Sequence, residues 1–596
     1  MATQIKSAFI SNLGKIYGGY AGGFIVFVII LGILEQMGVP NKIIGYCFVF
    51  LTIAVYAYIG ILSRTMELSE YYVAGRVVPP VFNGMATGAD WMSAASFISM
   101  AGGLYLAGYG GLGYVLGWTG GYVLVAVLLA PYLRKFGQFT VPDFLGVRYE
   151  GNTARVCGVI VLFCASFTYI VSQCFGIGII TSRFLGIPFE VAIFVGLLGI
   201  LVCSMLGGMR AVTWTQVAQY IILIIAYLIP VIWLSVTAYG NPIPELAYGQ
   251  VLDQIADYEK KLGIAKPHVA AFVDAKGQFS WTEFHNFWAL VLCLMVGTAS
   301  LPHILMRYFT TPNVRDARTS VGWSIFFIFL LYFTAPAYAA FAKLEVYQNV
   351  IGQQISALPA WVQNWSQVGG LLTIKDANND GIIQIGEFII NQDIIVLSMP
   401  EIAGLPYVIS GLVAAGGLAA ALSTADGLLL AIANALSHDI YYKMIDPKAS
   451  TVRRLVVARV LLIGVAIIAA AVAGTRPAGI IQMVAWAFSL AAAGLFVPLV
   501  LGIWWKRTTA AGAIAGMIAG FGLCLFYLVG TRYFDMPLWF GIRNISSALF
   551  GLPVAFIVTI VVSLMTREPS KEMQDFVDSI RVPKGELAWA KGATHD

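Results

Sequence analysis

The chain has 596 residues, of which 59% are hydrophobic and only 11% are charged. A soluble globular chain carries about 25% charged residues, and a disordered chain is poor in apolar residues, so the composition excludes both classes. Nucleic acid is not an expected partner, because the formal net charge is only +5 and the basic residues are dispersed. The composition therefore predicts an all-α polytopic membrane protein.

Continuous apolar stretches that could cross a bilayer recur along the chain. A transmembrane helix needs about 20 apolar residues, and about fourteen stretches meet this length. Their limits are 20–38, 43–63, 82–105, 110–133, 156–185, 188–206, 212–239, 285–309, 320–343, 405–441, 452–474, 478–504, 510–531 and 545–566. Lys and Arg are about twice as frequent on one set of connecting segments as on the other, which predicts cytoplasmic N and C termini. We expect an integral protein of the plasma (inner) membrane, surrounded by lipid.

Short motifs of enzymes and ATP-driven pumps are absent from the sequence. It contains no GxxxxGK phosphate loop, no HExxH zinc motif and no GxSxG nucleophile elbow. The protein is therefore not expected to be an enzyme. Polar groups inside the apolar spans become the functional candidates, because a charge at the bilayer centre costs about 3 kcal/mol or more.

The first polar cluster lies in the span 82–105. Thr87, Asp90 and Ser93 recur there at a spacing that places them on one face of a helix. Two glycines in the same span favour a local break, and a broken helix frees backbone carbonyls that can bind a hard cation. Alternatively, the polar stripe packs against neighbouring helices.

The second polar cluster lies in the long span 405–441. Ser423 and Thr424 are adjacent hydroxyls, and Asp426 is a carboxylate two residues further on. Oxygen ligands without Cys or His suit a hard cation such as sodium. The alternative is a purely structural role, in which both hydroxyls donate to the carbonyl four residues earlier in the helix.

The third cluster lies in the stretch 297–307, in the second half of the chain. Pro302 breaks the helix and is flanked by Ser300 and His303, while Arg307 is interpreted as an anchor at the cytoplasmic end of the helix. Paired breaks in the two halves indicate the binding site of a transporter. Donors near such breaks could hold a carboxylate. The expected substrate or coupling residues are Asp90, Trp91, Ser93, Ser96, Thr298, Ser300, His303 and Asp426.

Several dispersed motifs resemble those of the sodium:solute symporter family, over roughly residues 43–531. These motifs occupy 71–76, 140–145, 207–219 and 504–508. The stretches 89–96 and 297–307 are most similar to the acetate/monocarboxylate branch of the family. Gln216 departs from the pattern, since many members carry Asp at that position.

The resemblance implies a LeuT-like core of two inverted five-helix repeats with a sodium site between the first and eighth core helices. Carried over by position, the sodium ligands are the carbonyls of Ala89, Met92 and Ala420 and the hydroxyls of Ser423 and Thr424. The implied segments are an N-terminal two-helix extension with a cytoplasmic loop (1–81), the first repeat (82–239), an external loop (240–284), the second repeat (285–504) with a further external loop (344–403), two C-terminal helices (505–566) and a cytoplasmic tail (567–596).

The expected function is sodium-coupled symport of a small organic solute, with a short monocarboxylate such as acetate as the favoured substrate. An amino acid such as proline is the alternative solute. A membrane sensor that keeps the transporter fold, an intramembrane enzyme and a passive channel are alternatives of other classes.

A further motif lies in the loop 344–403. Residues 376–387 fit the twelve-residue EF-hand pattern, including a glycine at the sixth position. The expected calcium ligands are Asp376, Asn378, Asp380, the carbonyl of Ile382, Gln384 and Glu387. The same residue types also favour an ordinary solvated turn.

Overall fold

A computed structural model of the chain describes residues 9–367 and 370–582, with residue 200 described by its backbone alone. Most of the described chain is α-helical. Backbone groups inside a bilayer must be paired within their own segment, so helices are the form that long apolar stretches take there. The first residues of the predicted extension 1–81 and the last residues of the predicted tail 567–596 lie outside the described residues.

The helices up to the middle of the chain are α1 (Leu13–Gln36), α2 (Asn41–Leu62), α3 (Leu68–Val73), α4 (Pro80–Trp91), α5 (Met100–Ala107), α6 (Leu112–Leu124), α7 (Ala130–Phe136), α8 (Val141–Arg148), α9 (Asn152–Leu185), α10 (Phe189–Tyr239) and α11 (Pro244–Lys261). Those that follow are α12 (Trp281–Ser300), α13 (Pro302–Met306), α14 (Val314–Asn349), α15 (Ala360–Ser366), α16 (Ile395–Ile402), α17 (Tyr407–Asn434), α18 (Thr451–Gly474), α19 (Ile480–Ala491), α20 (Val497–Trp504), α21 (Ala510–Tyr533), α22 (Ala548–Met565) and α23 (Lys571–Arg581).

Wider and tighter helical turns join several of these helices. The π-helical segments are Ala95–Ser99, Val125–Leu129, Ala435–Ile445 and Ala492–Phe496. The 3₁₀ segments are Ala74–Arg76, Gly108–Gly111, Arg307–Thr310, Ile355–Ala357, Gln392–Ile394, Trp539–Gly541 and Asn544–Ser546. Two short strands, β1 (Leu372–Ile374) and β2 (Phe388–Ile390), pair antiparallel, with Leu372 opposite Ile390 and Ile374 opposite Phe388.

Within the described residues, eleven helices are long and apolar enough to cross a membrane, or twelve if the bent pair formed by Trp281–Ser300 and Pro302–Thr310 counts as one span. The predicted count of about fourteen is not confirmed. The predicted span 82–105 is interrupted after α4, and its second part ends at Gly108, which has φ 56° and ψ −138°. The stretch Ala95–Phe136, one of the eleven, therefore turns at this glycine. The predicted spans 188–206 and 212–239 lie on the two sides of a kink at Gly208, so α10 consists of two helical parts.

A glycine kink separates the two helical parts of α10. Gly208 has φ 52° and ψ −140°, a conformation that residues with a Cβ rarely adopt. A Cβ at this position would also lie 2.6 Å from the carbonyl oxygen of Tyr71. The glycine therefore permits both the kink and the close packing of the segment that precedes α4.

Two helices are broken near the middle of the protein. After α4, Met92 leaves the helical region with ψ 67°, and α12 ends where Leu301 becomes extended with ψ 119°. Pro302 then begins α13, a position where the missing N–H of proline costs nothing. The side chain of Gln173 on α9 accepts a 2.9 Å hydrogen bond from the N–H of Ala94, which satisfies a donor freed by the first break.

Helix α17 forms the centre of the core. Every residue from Ser410 to Asn434 is buried, and the helix contacts α2, α4, α9 and α10. Its run of glycine and alanine lets neighbouring backbones approach closely, as in other membrane helix interfaces. This packing places the second polar cluster of α17 directly against the first helix break.

Candidate functional site

The hydroxyls of α17 meet the end of α4 at the first break. Ser423 Oγ donates a 2.6 Å hydrogen bond to the carbonyl of Ala89, and Thr424 Oγ1 donates a 2.7 Å hydrogen bond to the carbonyl of Asp90. Ser423 Oγ also lies 2.9 Å from the carbonyl of Ala420. All five predicted sodium ligands are fully buried, and four of them, Ala89, Ala420, Ser423 and Thr424, come together in this way. The fifth, Met92, is the first residue beyond the end of α4.

The interpretation that the α17 hydroxyls bond only within their own helix holds only in part. Thr424 Oγ1 is 3.4 Å from the carbonyl of Ala420, four residues earlier, but its shorter bond reaches across to α4. Gln216 on α10 approaches from the other side, because its Nε2 donates a 2.8 Å hydrogen bond to the carbonyl of Ser423. The cluster therefore consists of oxygen atoms contributed by two helices, with an amide of a third beside them.

A buried ion pair joins the two broken helices. Arg307 Nε lies 2.8 Å from Asp90 Oδ2, and both side chains have no exposed surface. Arg307 Nη1 also donates to Thr213 Oγ1 at 3.2 Å. The expectation that Arg307 anchors a helix end at the cytoplasmic surface is wrong, since the residue lies inside the protein. One residue, Asp90, thus contacts α17 through its carbonyl and the second broken helix through its carboxylate.

The position of the Asp90 carboxylate depends on a glycine of α17. A Cβ at Gly427 would overlap both Oδ1 of Asp90 and the carboxylate carbon. The absence of a side chain at residue 427 therefore makes room for the ion pair. The preceding residue, Asp426, points elsewhere and accepts a hydrogen bond from Ser204 on α10.

An aromatic cluster lies beside the two breaks. The ring of Trp91 is 4.9 Å from that of Tyr122 and 5.5 Å from that of Phe488, and both indoles, Trp91 and Trp118, are almost fully buried. The ring of His303, at the start of α13, is 5.5 Å from that of Tyr169. The site therefore has apolar walls built from α4, α6, α9, α13 and α19.

Several polar atoms of this cluster are buried without a hydrogen-bond partner among the described residues. They are Trp118 Nε1, Tyr122 Oη and both ring nitrogens of His303. The side chains of Trp91 and Ser93 adjoin the hydroxyls of Tyr332 and Tyr169. Buried polar groups are normally paired, so each such atom requires an explanation. A bound solute that accepts hydrogen bonds would supply the missing partner.

Other predicted substrate residues already bond within the protein. Thr298 Oγ1 donates to the carbonyl of Leu294 at 2.7 Å, and Ser300 Oγ donates to that of Val296 at 2.8 Å. A hydroxyl that has used its hydrogen in this way can only accept. Ser96 shares a 2.8 Å hydrogen bond with Tyr332 on α14. These three side chains shape the site without offering a free donor to a carboxylate.

The EF-hand pattern forms a closed loop between β1 and β2. The N–H of Gly381 donates to Asp376 Oδ2 at 3.1 Å, and the side-chain amide of Gln384 donates to Asp380 at 2.7 Å. Glu387 is buried and accepts hydrogen bonds from the N–H groups of residues 377 and 384. The N–H of Ile382, aided by two side-chain amides, holds the pKa of Asp380 below its ordinary value. The predicted ligands therefore face one another.

The flanks of this loop differ from those of an EF-hand. Strands replace the two helices, as described above. A further segment pairs with the loop, because the N–H of Ile383 donates to the carbonyl of Gln353 at 3.0 Å and the N–H of Gly352 donates to the carbonyl of Ile383 at 2.8 Å. Ile383 itself is fully buried. The packing of Ile383, the eighth residue of the twelve-residue pattern, therefore holds the loop in place.

A separate buried cluster, which sequence reasoning did not find, connects α8, α9 and the π-helical segment Ala435–Ile445 that follows α17. Asp143, His438 and Asp439 bring ligand atoms within 4.8 Å of one another. Arg155 lies 3.1 Å from Asp143 and 3.4 Å from Asp439, and Arg454 contacts His438 at 3.2 Å. The acids therefore already have positive partners, which disfavours a metal ion at this position.

Comparison with known proteins identifies the group to which the chain is related. The model of the sodium:solute symporter family matches residues 71–359 and 370–520. The chain belongs to the sodium:solute symporter family. This symporter is 44% identical to an uncharacterized symporter of Cupriavidus necator, with 97% of this chain and 99% of the relative covered. It is 27% identical to a monocarboxylic acid transporter of Corynebacterium glutamicum, with 82% and 83% covered.

A solved structure shows the same fold. A Na⁺-coupled sialic acid symporter, in a substrate-bound outward-open state, matches with a TM-score of 0.67 over 89% of this chain and 99% of that chain, at 17% identity. The predicted LeuT-like fold is confirmed by this match, and the predicted family by the model above. The symporter is accordingly a polytopic membrane protein of a Na⁺-coupled transporter family, and its family and structural neighbours are transporters.

Proposed function

We propose that this symporter carries a short monocarboxylate together with sodium. The observation that supports a sodium site is the direct contact of Ser423 and Thr424 with the carbonyls at the end of α4. Sodium would take the carbonyls of Ala89, Met92 and Ala420 and the two hydroxyls as ligands, once the hydroxyl hydrogens turn away from the carbonyls. Oxygen atoms of this kind are suitable ligands for a hard cation.

The aromatic cluster supports a carboxylate as the solute. A carboxylate only accepts hydrogen bonds, and Trp118, Tyr122 and His303 offer buried donors that have no partner among the described residues. The rings around them suit a small apolar body. The monocarboxylic acid transporter of Corynebacterium glutamicum is consistent with this choice.

An amino acid fits the same cluster less well. Its ammonium group needs an acceptor, and the carboxylate that adjoins Trp91 is that of Asp90, which already pairs with Arg307. Asp426 is turned towards Ser204. Proline or a similar zwitterion would therefore have to displace a buried salt bridge, which is costly.

Transport by the full-length protein in proteoliposomes tests this function. We expect sodium-dependent uptake of labelled acetate that is inhibited by an excess of propionate or pyruvate, because these share the carboxylate and a small apolar body. Proline and a neutral sugar serve as controls and should leave acetate uptake unchanged. Inhibition by proline alone, without any effect of the short acids, would contradict the proposal.

The proposed topology follows from the distribution of Lys and Arg. We propose that both termini are cytoplasmic, in the plasma (inner) membrane, which puts the loop with β1 and β2 outside the cell.

The sodium gradient supplies the free energy for transport. A tenfold gradient of sodium corresponds to about 1.4 kcal/mol per mole of sodium ions that enter. Sodium binding at the first break and solute binding at the second would then favour a common rearrangement of the two broken helices.

We also propose that the loop between β1 and β2 binds calcium. The observation that favours this role is the convergence of the side chains of Asp376, Asp380, Gln384 and the buried Glu387 around one loop. Carboxylate and amide oxygens at these spacings suit Ca²⁺, with Glu387 as a bidentate ligand. The ion would order the loop against residues 352–355, not take part in transport.

Replacing Glu387 with glutamine should weaken calcium binding at least tenfold, because the ion loses a charged bidentate ligand. Isothermal calorimetry of the intact protein with CaCl₂ measures this change. The matched control is Glu345→Gln, a carboxylate outside the loop that accepts a hydrogen bond from Asn349 on its own helix. Equal calcium heats for wild type and Glu387→Gln, or none for wild type, would contradict the proposed site.

A further inference from the structure

A buried carboxyl lies where the segment between β2 and α16 crosses the first broken helix and the start of α19. Asp393, in the 3₁₀ segment Gln392–Ile394, has no exposed surface. It adjoins the hydroxyl of Ser99, the last residue of the π-helical segment Ala95–Ser99, and the N–H of Ile480, the first residue of α19. One carboxyl therefore joins three separate parts of the chain.

A glycine of α5 makes this close approach possible. A Cβ at Gly102 would overlap the carbonyl oxygen of Gln392, so the backbone of the segment rests directly on α5. A Cβ at Gly479 would lie 4.0 Å from Asp393 Oδ2, which places that oxygen beside the start of α19. The N–H of Asp393 donates to Asn391 Oδ1 at 2.9 Å. The carboxyl is therefore held in place by its own segment and by its neighbours.

The helices that the carboxyl contacts supply no charge to balance it. The π-helical segment Ala95–Ser99 and α19 contain no charged residue. On α5, Tyr105 is the single titratable group. Lys343 Nζ lies 5.7 Å from the centre of the Tyr105 ring, but it is 4.0 Å from a carboxylate oxygen of Glu259. Lys343 therefore has another acid as its partner.

The other charges near this segment are also directed elsewhere. Glu401 on α16 lies 3.3 Å from Arg183 on α9, and the guanidinium of Arg476, which precedes α19, lies over an aromatic ring. Asp393 is thus surrounded by neutral groups. Burial raises the pKa of its carboxyl to about 6, although the adjoining hydroxyl and N–H act in the opposite direction.

We propose that the carboxyl of Asp393 is a pH-sensitive latch that holds the segment between β2 and α16 against the first broken helix and α19. The protonated carboxyl is neutral and stays buried. Ionisation places an uncompensated charge in the interior, which favours a conformation in which the segment has moved away and the carboxylate is hydrated. Ser96 precedes Ser99 by one helical turn, so the latch acts on the part of the broken helix beside the proposed solute site.

The direction of the pH dependence follows from the two states of the segment. An exposed aspartate has a pKa of about 3.9, whereas the pKa of Asp393 in the closed segment is about 6. The closed state therefore binds the proton more tightly. Its added stability is fully present below about pH 4 and is lost as the pH rises from there through about 6. The ratio of open to closed segments should rise about tenfold between about pH 5 and pH 7.

Hydrogen–deuterium exchange of the purified full-length protein, corrected for the intrinsic pH dependence of amide exchange, measures this ratio. For wild type we expect the protection of the amides of residues 391–402 to be about tenfold lower at pH 7 than at pH 5. Asp393→Asn is neutral at every pH and should be equally protected at both. The matched control is Glu259→Gln, which changes a buried carboxylate that accepts hydrogen bonds from the N–H of His268 and should keep the tenfold change.

Wild-type protection that does not change with pH overturns the inference, and so does an Asp393→Asn protein that keeps the wild-type response. If that variant does not fold, Ser99→Ala decides. The hydroxyl of Ser99 lowers the pKa of Asp393, so its loss should move the midpoint of the response to higher pH. An unchanged midpoint in Ser99→Ala overturns the inference. None of these results depends on which solute the protein carries.

Discussion

Arg307→Gln is expected to lower the thermal stability of the purified protein strongly, with little transport left. The substitution leaves Asp90 as an uncompensated carboxylate in the protein interior. Breaking a buried ion pair by removing one partner costs about 3–5 kcal/mol, which is large against the net stability of a folded protein. Thermal unfolding of the full-length protein in detergent, followed by intrinsic fluorescence, measures the effect.

Two further variants separate the loss of stability caused by breaking this ion pair from the loss caused by removing any arginine. Arg543 pairs with Glu283 at 2.6 Å, but its side chain is 53% exposed, so Arg543→Gln should cost at most about 1 kcal/mol. The double variant Asp90→Asn/Arg307→Gln removes both charges and should regain most of the stability. An Arg307→Gln protein that melts like wild type, or a double variant no better than the single one, would contradict the role assigned to the pair.

The pairing of Asp90 with Arg307 could not be predicted from the sequence. The two residues are 217 positions apart, and each lies in a different half of the chain, so their contact depends on how the two halves pack. An arginine shortly after a helix-breaking proline is also typical of a residue at the membrane surface. The contact between Ser204 and Asp426, 222 positions apart, was missed for the same reason.

The helix breaks, in contrast, were predictable because their causes are local. Pro302 removes a backbone donor wherever it occurs in a helix, and α12 ends within two residues of it. The adjacent hydroxyls of Ser423 and Thr424 were visible as a polar pair in an otherwise apolar helix. Their partner carbonyls were placed by resemblance, and whether sodium binds there stays a prediction.

The helix count was less predictable, because hydropathy alone does not record backbone continuity. Residues 207–210 contain two glycines and an arginine, which favours a boundary, and the structure has a non-helical kink at Gly208, between the two predicted spans. The apolar stretch 82–105 has the length of one span, and the local break that its glycines favour occurs at Met92. Both interruptions lie in the φ/ψ angles of single residues, which an average of hydropathy over about 20 residues cannot show.

The double variant Ser423→Ala/Thr424→Ala is expected to abolish the stimulation of uptake by sodium at concentrations that saturate the wild-type protein. Each hydroxyl is placed as a ligand of the ion, and a contact between a charge and a hydroxyl contributes about 1.5 kcal/mol. Loss of both should therefore raise the sodium concentration for half-maximal uptake roughly 100-fold. The measurement is acetate uptake as a function of external sodium, with choline replacing sodium at constant ionic strength.

The hydroxyls also bond to α4 in the structure, so a loss of stability must be separated from a loss of sodium binding. Thr424→Ser keeps the oxygen that contacts the carbonyl of Asp90 at 2.7 Å and should retain sodium-dependent uptake. The stabilisation of the protein by added NaCl, read as a shift in Tm, follows ion occupancy directly because a ligand stabilises only the state that binds it. It should be present in wild type and Thr424→Ser and absent in the double variant. Undiminished sodium-driven uptake in the double variant would refute the site, since no other described pair of hydroxyls contacts the carbonyls at this break.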